Sequence, residues 1–385
     1  MSVLIEYFPF RFLWSFSVNV MDRWFIIWCI YCACTALMFD LTCLIAPFLQ
    51  RNCYLAAKTL FCVVVGHWLF IFTQERIFKK RINPNGKAVF ITGCDSGFGY
   101  QLAKQLDSCG YRVFAGCLFP ENGGAAELKS GCSDNLSILH VDVTKDESVQ
   151  KAKDYVLKNL GSCDLWALVN NAGIYKGFSV EFSKMSDFQD TLEVNALGQV
   201  RVTRAFLSLL RECKGRIINV NSLAGRIANP HMTAYVMSKF ASVAFTECLR
   251  RETEPWGIKV ISIEPEFFKT PLTNKKNVEK YLESTCRNVE TGIKFDYGDL
   301  YMDRIKTMIT DLFAMSSSKT YIVTNAIEAA ISTEHPCIVY RPSANIIRHI
   351  FYYYVEKLPS HVFDTAYKIT CIIWKVPAPK TARTS

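Results

Sequence analysis

Lys87-Ala-Val-Phe-Ile-Thr-Gly-Cys-Asp-Ser-Gly-Phe-Gly99 decides the fold of this chain. An apolar, β-branched run breaks into Gly93, Gly97 and Gly99, and a helical pattern follows through Leu102, Ala103 and Leu106 with Gly110 as its stop. A strand, a glycine turn and a helix N-terminus together make an anion cradle. Backbone N–H groups and the helix dipole face the ligand, and the missing side chains let it approach. Outward from this stretch, Tyr111–Gly116 and Leu136–Val143 read as a second and a third strand. Asp164-Leu-Trp-Ala-Leu-Val-Asn-Asn-Ala-Gly173 reads as a fourth that ends in a small polar motif. Strands alternating with helical segments predict an α/β fold, a doubly wound parallel sheet of the Rossmann type.

A second constellation lies downstream. Ser222 is followed, thirteen residues on, by Tyr235, and Lys239 stands four residues beyond that. Positions i and i+4 of a helix share a face, so the phenol and the ammonium can reach one reaction centre. A nearby cation favours the phenolate and is expected to lower the Tyr235 pKa from about 10 towards working pH. Tyr235 then becomes a general acid or base for a hydroxyl or carbonyl oxygen, which Ser222 can hold by hydrogen bond. Asn195 lies on the apolar-periodic segment Phe188–Leu210. A Tyr and a Lys share a helical face by chance often enough that this pair carries weight only with the upstream glycine turn and strands.

With these pieces in order, the chain resembles the short-chain dehydrogenase/reductase family over roughly residues 86–345. Thr92-Gly93-x-x-x-Gly97-x-Gly99, Asn170-Asn171-Ala172-Gly173, Asn195, Ser222, Tyr235 and Lys239 fall where that family has its motifs. Gly-Cys-Asp-Ser-Gly-Phe-Gly, Phe-Ala-Gly-Cys-Leu, Gly-Arg-Ile-Ala-Asn-Pro and Phe-Asp-Tyr-Gly are most similar to one branch. It holds the retinol dehydrogenases, the type 2 17β-hydroxysteroid dehydrogenase and the 3-hydroxybutyrate dehydrogenase. The resemblance implies that Tyr235 exchanges a proton with the substrate oxygen, that Ser222 orients that oxygen, and that Lys239 also binds the ribose. Asn195 would hold a water linking Lys239 to solvent. The plain alternatives are a satisfied core side chain for Asn195 and a helix-flanking residue for Ser222. A dinucleotide would meet Gly93, Ser96, Gly97, Phe98, Gly99, Asp142, Val143, Asn170, Ala172, Gly173, Tyr235, Lys239 and Thr270. Asp142, at a strand's carboxyl end, is placed at the adenine.

The expected cofactor is NAD(H). A 2′-phosphate calls for Arg or Lys near the glycine turn or past the second strand. The turn holds Cys94, Asp95 and Ser96, and Cys117-Leu-Phe-Pro-Glu-Asn-Gly-Gly-Ala-Ala126 follows the strand, with no basic residue in either. Phe119 stands where an acidic ribose partner is usual, with Glu121 two residues on. One departure from the family pattern is Glu266, which follows Pro265 where Gly is typical. Two readings apply: its charge favours the cationic NAD⁺, or it points to solvent.

At 385 residues, half of them hydrophobic, the chain can bury one sizeable core with appendages. The sequence divides into a membrane-anchoring region at 1–80, the dehydrogenase-like domain at 86–345 and an amphipathic tail at 346–385. Trp24–Leu49, interrupted only by Asp40, and Tyr54–Thr73, interrupted by Lys58 and His67, are apolar runs. Each suits a membrane helix of about 20 residues. Arg76, Lys79, Lys80 and Arg81 follow the second run and suggest a cytoplasmic catalytic domain. The expected location is the endoplasmic reticulum membrane, with the mitochondrial membrane as the alternative. The 16 cysteines are scattered without zinc-like pairing, and no metal is expected. The net charge of +9 suits an anionic membrane surface, and its dispersed basic residues make no nucleic-acid patch. A homodimer or tetramer is the expected assembly.

A membrane anchor, the Tyr-rich stretch from Phe268 to about Met315, which in the family forms the substrate lid, and the branch resemblance together point to a lipophilic secondary alcohol or ketone of steroid or retinoid type. The rival enzyme is a 3-hydroxybutyrate-type dehydrogenase. A small carboxylate needs a cation in the pocket, and between Pro230 and Tyr235 the chain offers only His231 as a partial substitute. The rival of another class is a catalytically silent binding protein on the same fold.

Overall fold

The computed structural model describes residues 80–383 and, within the N-terminal region, residues 30, 33–41, 53–59, 61–63 and 65–66. Residues 33–41 and 53–59 are helical. Of the two apolar runs, residues 24–29, 31–32, 42–49, 60, 64 and 67–73 lie outside the described residues. Among the described residues, no helix is long and apolar enough to cross a membrane. The chain divides into two compact units, one of residues 80–356 with 378–385, the other of residues 357–377 with the N-terminal region.

The first unit is built on seven parallel strands in the order β3-β2-β1-β4-β5-β6-β7. They are β1 Lys87–Thr92, β2 Arg112–Cys117, β3 Leu136–His140, β4 Asp164–Asn170, β5 Arg216–Val220, β6 Lys259–Ile263 and the short β7 Val339–Tyr340. In β1, all residues after Lys87 are buried, as expected of a parallel strand covered on both faces. Val89 and Ile91 join a core formed with α1 (Gly97–Ser108), α2 (Gly123–Gly131) and α10 (Tyr321–Ser332). Ala88 and Phe90 point the other way, into a core formed with α3 (Asp146–Asn159), α5 (Gly198–Glu212) and the end of α6 (Thr233–Thr253). The Phe90 and Phe206 rings stack there at 4.5 Å.

The apolar-periodic segment read from the sequence is helical in three pieces: α4 (Met185–Leu192), a π-helical turn at Glu193–Leu197 and α5. A π-turn inserts an extra residue and shifts the facing side chains, a device concentrated at functional sites. After β6 come α7 (Lys275–Arg287), α8 (Thr291–Tyr297) and α9 (Asp299–Ala314), and after β7 comes α11 (Ile346–Val355). The second unit contains α12 (Ser360–Ile373).

Strand order reverses at β1, whose neighbours are β2 and β4. At such a switch point the carboxyl ends open a crevice between diverging loops. The glycine turn, Asp142, Asn170–Gly173, Ser222 and Glu266 all follow strand carboxyl ends. The parallel topology therefore gathers these distant segments along one edge of the sheet.

Candidate active site

The glycine turn is held from two sides. Asn171 Nδ2 donates to the Thr92 and Gly93 carbonyls at 2.9 and 3.0 Å, while the Thr92 hydroxyl accepts from the Asn171 and Ala172 amides at 3.0 and 3.1 Å. Gly99 sits so close beneath the turn that a Cβ there would stand 2.2 Å from the Gly93 carbonyl oxygen. Ser96 occupies the N-cap of α1 without a side-chain cap bond. The first-turn amides of α1 therefore keep their donors for an anion. Thr270 faces the turn, its Cβ 3.5 Å from where a Cβ on Gly97 would lie. This donor set fits the pyrophosphate of a dinucleotide.

The Asp95 carboxylate accepts from the amides of Leu118 and Phe119 at 3.0 and 2.7 Å. Negative charge thus sits just past β2, where a 2′-phosphate would have to be accommodated. That disfavours the phosphorylated cofactor by charge as well as by the lack of a cation.

Asn195, wholly buried in the π-turn, spends its amide on the chain. Its Oδ1 accepts from the Ile174 amide at 2.8 Å, and its Nδ2 donates to the Ile174 carbonyl and to Ser238 Oγ, both at 2.9 Å. Ser238 Oγ donates in turn to the Tyr235 carbonyl at 2.7 Å. The π-turn is thereby pinned to the first turns of α6, beside Tyr235.

Ser222 caps the short 3₁₀ turn Leu223–Gly225, its Oγ accepting from the Ala224 amide at 3.1 Å. That turn lies directly on α6: a Cβ on Gly225 would be 2.7 Å from the Lys239 carbonyl. The close approach sets the Ser222 side chain beside the Tyr235 phenol, where it favours the phenolate. Lys239 is 5% exposed, donates to the Val220 carbonyl at 3.0 Å and lies 5.8 Å from the Tyr235 ring centroid.

The expected depression of the Tyr235 pKa is not what this geometry produces. Burial pushes the phenol up to about 12, and the Ser222 side chain only partly opposes it. Burial also brings the Lys239 ammonium down to about 8. Desolvation disfavours the charged form of each group, and it outweighs the cation's pull at this separation.

Asn170, Asp142 and Val143 are each engaged within the chain. The Asn170 side chain is turned into the core, its Nδ2 donating to Thr203 and Asn219 at 3.0 and 2.8 Å, so Asn171 rather than Asn170 braces the turn. The Asp142 carboxylate accepts from the amide and hydroxyl of Thr144 at 2.9 and 2.7 Å. Val143 packs in the core, with its carbonyl taken by Arg201. Glu266 neither faces solvent nor stands unpaired. Its side chain is 1% exposed, accepts from the Ala344 amide and lies 3.5 Å from the Arg348 guanidinium on α11.

Beside Tyr235 stands an aromatic wall that joins the Tyr-rich stretch read from the sequence to Tyr175, which that reading did not single out. The Tyr175 ring lies 5.5 Å from Tyr235, 6.4 Å from Tyr281 and 5.1 Å from Phe313, and Phe313 meets Phe267 at 5.7 Å. These rings come from the β4–α4 loop, α6, α7, α9 and the segment after β6, so no local pattern announces their meeting. His231 Nδ1 shares a hydrogen bond with Ser179 Oγ at 2.7 Å, and burial brings its pKa down to about 4. It is neutral at physiological pH and gives no cation for a carboxylate.

The family model for short chain dehydrogenases matches residues 87–280. Bovine (Bos taurus) 17-beta-hydroxysteroid dehydrogenase type 6 is 39% identical over 304 residues, 78% of this chain and 94% of the relative. The mitochondrial D-beta-hydroxybutyrate dehydrogenase of Rattus norvegicus is 40% identical over 264 residues, 67% of this chain and 77% of the relative. Among solved structures, a short-chain dehydrogenase from Streptomyces avermitilis shares the fold with a TM-score of 0.58 at 22% identity, covering 78% of this chain and 99% of its own. The chain belongs to the short-chain dehydrogenase/reductase family, in the branch of the hydroxysteroid, retinol and hydroxybutyrate dehydrogenases, and is an oxidoreductase acting on CH–OH groups.

Proposed function

We propose that this protein is a membrane-associated, NAD(H)-dependent dehydrogenase that interconverts a secondary alcohol and a ketone on a lipophilic substrate of steroid or retinoid type. The observation that carries the reading is the Ser222–Tyr235 hydroxyl pair set against the wall of Tyr175, Tyr281 and Phe313, beside a glycine turn whose donors suit a dinucleotide. NAD(H), when bound, supplies or accepts the hydride. Ser222 orients the substrate oxygen by hydrogen bond, and Tyr235 takes or returns that oxygen's proton. Lys239, anchored on Val220, holds the ribose and adds positive charge near the phenol. Asn171, Thr92 and Gly99 keep the turn open for the pyrophosphate, and Asp95 selects against a 2′-phosphate.

The neutral His231 and the aromatic wall weigh against a small carboxylate such as hydroxybutyrate, although a relative of that name is among the similar proteins. Membrane association is supported by the apolar runs at 24–49 and 54–73. The outward face of α11, where Ile346, Ile347, Ile350, Phe351 and Tyr354 are exposed, supports it further. Turnover by the full chain in phospholipid vesicles of a 17β-hydroxysteroid, a retinol and 3-hydroxybutyrate, each with NAD⁺ and NADP⁺, tests this. Steroid or retinol oxidation with NAD⁺ is expected. Turnover of hydroxybutyrate alone, or of nothing despite NADH binding, overturns it.

A further inference from the structure

Three phenols meet at the reaction centre, and two of them are committed. Tyr235 stands beside Ser222, which favours its phenolate, and the Tyr281 hydroxyl accepts from the Gly177 amide at 2.7 Å. The third, Tyr175, has its hydroxyl buried with no hydrogen-bond partner among the described residues. Its ring is hemmed in by Tyr235, Tyr281 and Phe313. A water there would need two to four polar partners, and this aromatic box is poor in them. A buried hydroxyl without a partner is costly to keep, so a site that retains one is built for a ligand that supplies the missing bond.

We propose that Tyr175 is a specificity-determining residue whose hydroxyl donates a hydrogen bond to a second oxygen of the substrate, so that the preferred substrate is a lipophilic secondary alcohol carrying another acceptor oxygen a few bonds from the reacting carbon. The Tyr175 and Tyr235 rings lie 5.5 Å apart, close enough for one substrate to meet both. The direction of donation follows from burial, which with the neighbouring phenols Tyr281 and Tyr235 raises the Tyr175 pKa well above the usual range and keeps the proton in place. Phe at this position would fill the same space and leave the substrate's second oxygen unpaired. That asymmetry is how hydrogen-bonding sites discriminate more sharply than apolar ones.

This inference rests on the proposed lipophilic-alcohol activity, and the test separates the two. The full chain in vesicles is assayed with NAD⁺ on two steroid alcohols identical except that one carries an oxygen on the carbon next to the reacting one. Wild type is expected to favour the two-oxygen member by about 10–100-fold in kcat/KM, the scale of one buried hydrogen bond. Tyr175→Phe is expected to lower kcat/KM on the two-oxygen member by about 10–100-fold more than on the one-oxygen member, so that the preference is lost. NADH affinity measured by fluorescence should be unchanged, since Tyr175 is not part of the glycine turn. No preference in wild type, or an equal loss on both substrates in the variant, overturns the role of Tyr175 alone. Wild-type inactivity on both members overturns the lipophilic-alcohol reading and this proposal together.

Discussion

At the scale of single residues, the site is governed by desolvation. Tyr235 sits at about 12 and Lys239 at about 8, and both shifts come first from burial. The sign for the two directions follows. At neutral pH the phenol is protonated, which is the form carbonyl reduction needs, while the phenolate needed for alcohol oxidation is scarce and grows about tenfold per pH unit. Steady-state kcat/KM for oxidation is therefore expected to rise from pH 6 to pH 10 while that for reduction stays flat until the alkaline end. Matching profiles for the two directions would contradict this. Tyr235→Phe should cost both directions about 10²–10⁴-fold, the usual worth of a positioned general acid or base. The sequence made Tyr235, Lys239 and Ser222 legible because a helical repeat and a short loop fix their spacing. It misjudged the sign of the phenol's shift, since burial depends on segments far away in the chain. His231 shows the same thing: read as a partial cation, it is neutral because the fold encloses it.

At the scale of elements, β1, the glycine turn and α1 were the most readable part of the chain. The turn's chemistry is local, and glycines at these spacings leave few alternatives. What holds the turn was less readable. Asn170 and Asn171 are adjacent and identical, yet the pleat sends the first into the core polar network and the second onto the turn carbonyls. Composition alone does not tell them apart, whereas counting from the end of β4 would have done. The brace can be tested by crowding it. In Gly99→Ala the new methyl would stand 2.2 Å from the Gly93 oxygen and 2.5 Å from Asn171 Nδ2, so the turn must give way. The expected cost is about 1–3 kcal/mol of stability, as for overpacked cores, with NADH affinity reduced at least about tenfold through the same distortion. Gly131→Ala is the control, because nothing lies within 4 Å of a Cβ at the end of α2. Fluorescence titration with NADH and thermal unfolding of both variants decide the matter, and equal behaviour of the two would discard the brace.

At the scale of the catalytic unit, buried charge ties the site to the far end of its sheet. Glu264, whose side chain is fully buried at the end of β6, accepts from Arg226 beyond the Ser222 turn and from Arg341 after β7. Arg341 pairs at 2.8 Å with Glu356 at the end of α11, and Arg348 on α11 faces Glu266. These pairs explain why Glu266 neither meets solvent nor stands as a lone charge. No reading of the sequence could have found them, since they depend on β7 joining the sheet's edge beside β6. They also fix which side of α11 faces outward: the charged side is clamped to the unit, leaving Ile346, Ile347, Ile350, Phe351 and Tyr354 exposed as one apolar stripe. Fully burying such a side chain is worth about 1.5–3 kcal/mol, so a lipid surface within reach would take up this stripe. In vesicles containing a photoreactive phospholipid, the full chain is expected to be labelled within residues 346–355 as well as in its N-terminal region. Phe351→Glu should remove most of the label from α11 and leave the N-terminal label unchanged, because charge on an interfacial helix face opposes its burial. Labelling confined to the N-terminal region in the wild-type protein would mean that α11 does not rest on the bilayer.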